Sequence, residues 1–552
     1  MPGPPGGRIG ARELLRRVLD GDGHESWDAE PYRVAGPGTG YARELAAARD
    51  RSGCDEAVLT GAGRLRRRRI GYVVSEFGFL AGSIGLATAG RIVAAIDRAT
   101  AEGLPLLAAP SSGGTRMQEG TAAFAQMAAI TAAVSRHRAA GLPYLVYLRH
   151  PTTGGVFASW GSLGHVTFAE PGALIGFLGP RVYEGLYGEP FPEGVQVAEN
   201  LHAKGLVDAV VGIDGLGAVA AAALDVLCAR TPARGLPAMS GSRPESAGAA
   251  QQALQEAAQE AAQEAVPEAA QEAVLSALPE GQAADGDAWE SIRRSRRPGR
   301  PGVRDLLRYG AEGVTPMSGA GQGEADSLPR GRTSGDGGDR GMLLVLARIG
   351  GVACVVVGQD RAAQRDGHLL GPDGLRVARR GVRLAAELGL PLVTVVDTPG
   401  AALSAEAEEA GLAGEIARCL ADLITLPAPS LCLLLGEGAG GAALALLPAD
   451  RVLAARHGWL SPLPPEGASV IVHRTPGRAA EMAAAQGVRS ADLLRDGIVD
   501  ALVDERPDAA DEPEAFCRRA ASAVAGALTE LVRLPAGERL ARRDRRYRPP
   551  ST

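Results

Sequence analysis

The sequence predicts an α/β protein made of two tandem halves related by internal duplication. Three observations carry this reading. Short β-branched or Leu-rich runs alternate with Ala-rich amphipathic stretches, a low-complexity segment divides the chain near its middle, and the spacing of prolines and glycines before that segment recurs after it. With 552 residues the chain also exceeds the roughly 250 to 300 at which a single core stops growing, so at least two domains are expected.

The first half is assigned to residues 1–235, with strands at GYVVSEF (71–77), LPLLAAP (104–110), LPYLVYL (142–148) and HVTFAEP (165–171) and helices between them. Residues 236–284 form a linker. Its QEAAQEAAQEAVPEAAQEAV run favours a partly helical spacer, but Pro267 interrupts it and no apolar stripe is present to dock it on a core. The second half, 285–552, offers strands at MLLVLARI (342–349), ACVVVGQ (353–359), LPLVTVVD (390–397), SLCLLLG (430–436) and DRVLAA (450–455). Within it the Gly/Ser/Asp-rich stretch 318–341 reads as a mobile loop.

The duplication rests on two intervals. Pro105 opens a strand that ends in SSGG (111–114); Pro143 follows 38 residues later, and Gly155 lies 12 beyond it. Pro391 opens a strand that ends in TPG (398–400); Pro429 follows 38 residues later, and Gly441 lies 12 beyond it. A single strand-helix-strand unit could yield the first interval by length alone. The recurrence of glycines at both points favours duplication.

Composition excludes several classes. The 58 basic and 64 acidic residues give a net charge of -6, too balanced for a nucleic-acid or membrane surface. The six cysteines form no CxxC pair, and no histidine completes a metal site, so they read as small core hydrophobes of a reducing compartment and no bound metal is expected. The N-terminus has no apolar h-region, and no run of about 18 apolar residues follows, which places the protein in the cytoplasm. Lys204 is the only lysine, so Schiff-base chemistry would fall there or nowhere.

Where a strand turns into a helix, paired glycines let the main chain approach a ligand and aim N–H groups at it, with the helix N-terminus adding partial positive charge. Each half offers two such turns. They are Gly113-Gly114 with Gly154-Gly155 in the first half, and Gly400-Ala401 with Gly440-Gly441 in the second. A hole built from such amides stabilises the enolate of a thioester. The competing reading is that the glycines make tight turns and helix contacts only; matched spacing of four pairs weighs against it.

The stretches DEAVLTGAGRL (55–65), SEFGFLAGSIG (75–85), SSGGTRMQEG (111–120), PTTGGVFASW (151–160) and AEPGALIGFLGPRV (169–182) resemble the β subunit of bacterial acetyl-CoA carboxylase carboxyltransferase. WESIRRSRRPGRPGVRDLL (289–307), DTPGA (397–401), AEEAGLAGEIARCL (407–420), GEGAGGAALAL (436–446) and PPEGAS (464–469) resemble its α subunit. The resemblance implies a fused chain of two crotonase-like domains that moves a carboxyl group from carboxybiotin to acetyl-CoA, giving malonyl-CoA for fatty-acid or polyketide supply. It implies biotin held on a separate carrier protein, a biotin carboxylase partner, an oligomer whose sites are shared between subunits, Gly113, Gly114, Gly154 and Gly155 serving the CoA thioester, and Gly400, Ala401, Gly440 and Gly441 serving biotin. Propionyl-CoA or another acyl-CoA as acceptor, a malonyl-thioester decarboxylase and a non-catalytic scaffold paralogue are the alternatives.

Some positions depart from that family's pattern. No cysteine precedes residue 50, so the zinc ribbon common at the start of the β subunit is missing; Ala439 shifts the α-side glycine pair by one; Ala402, Leu403 and Ser404 follow DTPGA in place of the usual Tyr-Pro-Gly; and the segment before Met342 keeps only Gly338, Asp339 and Arg340. Arg116 is a candidate for a CoA phosphate, with a helix-start pair to Glu119 as the alternative. Glu437, inside a glycine-rich turn, requires a partner. His165 and His368 read as structural groups.

Overall fold

Each half begins its sheet with a two-residue hairpin and continues in parallel strands. The computed structural model describes residues 8–229 except 22, 33 and 37, together with 275–276, 287–317 and 341–546. The linker at 236–284, apart from 275–276, and the loop at 318–341, apart from Gly341, lie outside the described residues.

In the first half, β1 (Val58–Leu65) and β2 (Arg68–Ser75) pair antiparallel through Arg66-Arg67, and in the second, β7 (Met342–Ile349) and β8 (Val352–Gln359) pair through Gly350-Gly351. All four turn residues have positive φ, from 43° to 79°, the combination that matches a two-residue loop to strand twist. Parallel pairing then needs crossovers, and helices supply them. The first half runs through α1 (Leu86–Ala101), β3 (Leu106–Ala109), α2 (Gly120–Ala139), β4 (Tyr144–Leu148), β5 (Val166–Ala169), α3 (Pro180–Tyr187) and β6 (Ala209–Val210). The second runs through α4 (Pro372–Leu388), β9 (Leu392–Thr398), α5 (Leu412–Thr425), β10 (Ser430–Ala439), α6 (Gly440–Leu444), β11 (Arg451–Ala455), α7 (Pro465–His473) and β12 (Ala501–Val503).

The sheet orders are the same, β1-β2-β3-β4-β5-β6 and β7-β8-β9-β10-β11-β12, with Glu25–Ser26 added beside β1 and Glu312–Pro316 beside β7. The central strands β3, β4, β9 and β10 are buried along their whole length, as expected for parallel strands covered on both faces. The sequence expectation of two tandem α/β halves of one layout is met.

One face of each sheet has its own core. Ala11–Val18 and Ile213–Leu227 cover the first, and Pro513–Arg533 covers the second. The opposite faces carry α1 and α2, and α4 and α5, and these merge into one apolar cluster shared by both halves. Here α2 packs on α5 and α3 on α7, each helix meeting its own counterpart. Contacts of like with like are isologous, so the halves meet about a local two-fold. The approach of α3 to α7 is close: a Cβ on Gly185 would lie 2.2 Å from Val470 Cγ1. Among the described residues no helix is long and apolar enough to cross a membrane.

Candidate active site

The turns after β3 and β9 are built alike. Ser112 Oγ accepts the Gly114 N–H at 3.0 Å, and Thr398 Oγ1 accepts the Gly400 N–H at 3.1 Å. Both glycines sit at positive φ, 107° and 135°. The next residues, Thr115 and Ala401, each bridge a parallel segment, at Ile84 and Leu370. Gly154 and Gly440 agree more closely still, with φ of 66° and 64°, a region that favours a residue without Cβ. In every one of these pairs the counterparts stand 286 residues apart, as 114 to 400 and 154 to 440. The structural counterpart of Gly400-Ala401 is therefore Gly114-Thr115, one residue later than the Gly113-Gly114 pair picked from sequence, whereas Gly154-Gly155 matches Gly440-Gly441 directly.

Every buried main-chain donor needs an acceptor or a ligand, so the N–H groups can be followed one at a time. Gly113 donates to Ala81 O at 3.0 Å, Gly154 to Phe177 O at 3.0 Å, and Gly114 and Gly400 to the hydroxyls already named. Within the described residues no acceptor engages the N–H of Thr115, Gly155 or Ala401. Gly440 and Gly441 begin α6, where helix geometry supplies no intrahelical acceptor. The first pair of turns is packed main chain against main chain, since a Cβ on Gly154 would meet Gly114 Cα at 3.4 Å. Gly400 faces open space, with nothing within 4 Å of an added Cβ. Gly441 is buried against a side chain from the other half: an added Cβ would lie 2.9 and 3.1 Å from Phe177 ring carbons.

Behind the second-half turn lies a buried polar cluster. Asp397 Oδ1 accepts the Glu437 N–H at 3.0 Å and an Arg361 Nη1 hydrogen at 3.0 Å, and Gln359 Oε1 accepts the Asp397 N–H at 3.0 Å. Glu437 has the partner it requires, accepting from Arg296 Nε at 2.8 Å. Burial pushes its carboxyl above the ordinary carboxylate range, against the pull of Arg296.

Arg116 does not reach a ligand position. Its side chain is fully buried, bonded to Glu56 Oε1 at 2.6 Å, Ser83 O at 2.9 Å and Thr88 Oγ1 at 3.0 Å, with Glu119 at 3.3 Å. The guanidinium donates inward, so the phosphate role gives way to the structural one, with Glu56 as the main partner and Glu119 the lesser. Lys204 pairs with Glu409 across the halves at 2.7 Å, and His165 Nδ1 accepts the Tyr144 N–H at 3.0 Å, both structural uses.

Two residues that sequence reasoning passed over join the halves at this place. Glu408 Oε1 accepts the N–H of Phe177 at 2.7 Å, that of Leu178 at 3.4 Å, and Gln196 Nε2 at 2.7 Å. Burial pushes the Glu408 carboxyl up, and these three donors oppose the shift. Both residues lie within motif segments, AEEAG and IGFLG, but 231 positions separate them and no periodicity links them. Beside Glu408 a cavity of about 160 Å³ opens between the halves, lined by Phe157, Ser162, Leu201, Leu206 and Arg418, and by none of the eight turn residues.

The fold and these turns define a class, tandem α/β proteins whose two like halves meet about a local two-fold. A carboxyl transferase domain model matches residues 38–273, and an acetyl co-enzyme A carboxylase carboxyltransferase-like model matches 249–550. A probable biotin-dependent acyl-coenzyme A carboxylase beta3 subunit of Mycobacterium tuberculosis H37Rv is 55% identical over 98% of this chain and 98% of its own length. The acetyl-coenzyme A carboxylase carboxyl transferase subunits beta/alpha of Salinispora arenicola is 38% identical over 92% of this chain and 84% of its own. Among solved structures, transcarboxylase 12S aligns over 95% of this chain and 90% of its own with 18% identity and a TM-score of 0.34. The chain belongs to the acetyl-CoA carboxylase carboxyltransferase family and is a biotin-dependent acyl-CoA carboxyltransferase.

Proposed function

We propose that this chain transfers the carboxyl group of carboxybiotin, delivered on a carrier protein, to acetyl-CoA to give malonyl-CoA. The observation that carries the reading is the pair of duplicated turns whose N–H groups lack acceptors among the described residues: Thr115 and Gly155 in the first half, Ala401 and Gly441 in the second. Thr115 and Gly155 hold the thioester oxygen and gain strength as enolate charge develops on it; one such donor is worth about 3 kcal/mol in comparable enzymes. Ala401 and Gly441 hold the ureido oxygen of biotin. Gly113, Gly114, Gly154, Gly400 and Gly440 shape the turns, four of them through hydrogen bonds already made within the protein. Uncharged donors and the open space at Gly400 suit a neutral carbonyl oxygen. Carboxybiotin supplies the carboxyl group and, once it is released, a ureido nitrogen that accepts the methyl proton of the thioester. No side-chain base is then required, consistent with Arg116 and His165 being committed to structure.

In this reading the protein works in the cytoplasm as a homo-oligomer alongside biotin carboxylase and the biotin carrier. Carboxyl exchange between malonyl-CoA and biotin tests it, repeated with methylmalonyl and ethylmalonyl thioesters, the carboxylated forms of propionyl and butyryl. The acetyl/malonyl pair is expected to show the highest kcat/KM. A preference for methylmalonyl-CoA would replace the acceptor; CO2 release from malonyl thioester without biotin would favour a decarboxylase; binding of carrier and carboxylase without exchange would favour a scaffold.

A further inference from the structure

The two turns in one chain are not independent. Phe177 touches both: its carbonyl accepts the Gly154 N–H at 3.0 Å, and its ring carbons lie 2.9 and 3.1 Å from where a Cβ on Gly441 would stand. The main chain that carries this ring is held from the other half, because Glu408 Oε1 takes the N–H of Phe177 at 2.7 Å and of Leu178 at 3.4 Å. Gln196 fixes the carboxylate in turn, donating to the same oxygen at 2.7 Å while also donating to Leu178 O at 2.8 Å. One oxygen atom of the second half thus collects the donors of a first-half segment whose carbonyl and ring reach the two turns.

We propose that Glu408 is a positioning residue for carboxyl transfer: by holding the main chain at Phe177-Leu178, it sets the spacing between the Gly154 turn and the Gly441 turn. The inference rests on the reading of those turns as the oxygen-binding sites. The physical ground is rigidity. The Phe177 carbonyl shares a rigid peptide plane with the Leu178 N–H, and the Cα that bears the ring lies between the two N–H groups that Glu408 accepts, so one acceptor restrains both the carbonyl and the base of the ring. A misplacement of about 1 Å at such sites can cost on the order of a hundredfold in rate. What matters in this role is an acceptor oxygen at the right distance, not its charge.

That distinction supplies the test on the full-length protein. Glu408→Gln keeps an acceptor at the same reach, Glu408→Asp keeps the charge but withdraws it by one methylene, and Glu408→Ala removes both. The malonyl-CoA–biotin exchange is expected to lose at least about tenfold in kcat for the Ala and Asp variants with KM for malonyl-CoA little changed, and to stay within about threefold of wild type for Gln. Amide hydrogen exchange gives a second readout that needs no activity: faster exchange at 174–180 and 152–156 is expected in the Ala and Asp variants only. If Gln is as damaged as Ala while Asp is active, charge and not position matters, and the proposal fails. If both amide segments keep wild-type protection in Asp and Ala, the anchor does not exist. Should wild type show no carboxyl exchange with any thioester, the functional reading fails, while the hydrogen-exchange result still decides whether Glu408 holds the segment.

Discussion

Gly441→Ala probes the meeting of the halves most directly. The main chain tolerates alanine here, because Gly441 lies in the first turn of α6 and not at positive φ. Space is the obstacle: the new methyl would stand 2.9 and 3.1 Å from Phe177 ring carbons and 3.3 Å from Ile416 Cδ1. Ordinary carbon contacts begin near 3.5 Å, so the ring has to retreat by roughly half an ångström. Its main chain is anchored, and overpacking of this kind costs about 1–3 kcal/mol. A turn displaced to the same extent loses oxygen-binding geometry, worth on the order of a hundredfold in exchange rate. The control is Gly155→Ala, where the methyl would meet Met127 Cγ at 3.4 Å and Thr115 Oγ1 at 3.5 Å; a flexible methionine yields, and stability should change by less than about 0.5 kcal/mol. Urea unfolding and the biotin exchange assay measure the two effects. Adding Phe177→Leu to Gly441→Ala should return most of the lost stability. Exchange within twofold of wild type in Gly441→Ala, or no relief from the second change, would refute the reasoning.

Arg116→Met should destabilise the first half by about 3–5 kcal/mol, because it strands the buried Glu56 carboxylate, while folded protein keeps its KM for malonyl-CoA; a raised KM would restore the phosphate role. Thr398→Val removes the acceptor of the Gly400 N–H and the hydroxyl that donates to Gln364 Oε1 at 2.6 Å, so urea unfolding should show a loss of about 1–3 kcal/mol and biotin exchange should fall. The second half should lose stability in acid through Glu505. Burial pushes this carboxyl up, but two hydrogen bonds from Arg300, at 2.7 and 2.8 Å, and the charge behind them outweigh burial and hold it below its ordinary value. A depressed carboxyl stabilises the fold above its unfolded value of about 4.3, and that stability is lost as pH falls through the lower folded value. Urea midpoints between pH 6 and pH 3 should therefore fall, and Glu505→Gln should flatten the slope.

Much of the architecture was legible because a strand's hydrophobicity is a local property. MLLVLARI lies where it was placed, and the other eight runs fall within a few residues of their strands. Val58–Leu65 was missed as a strand: Gly61 and Gly63 dilute its apolar signal, and its pairing with Arg68–Ser75 becomes apparent only through the Arg66-Arg67 turn. The proline and glycine intervals disclosed the duplication because covalent spacing is preserved when a unit is copied.

The sequence determined, without help, the two α/β halves, their relationship and the family. Tertiary structure alone decided which N–H groups remain without an acceptor, because each donor's fate depends on an oxygen far away in the chain: Ala81 for Gly113, Phe177 for Gly154. It likewise decided that Arg116 points inward, since the charge of Glu56 lies 60 residues away. It also made Glu408 and Phe177 neighbours. Hydrogen-bond register and side-chain burial are set by packing between segments, and linear spacing carries no record of that.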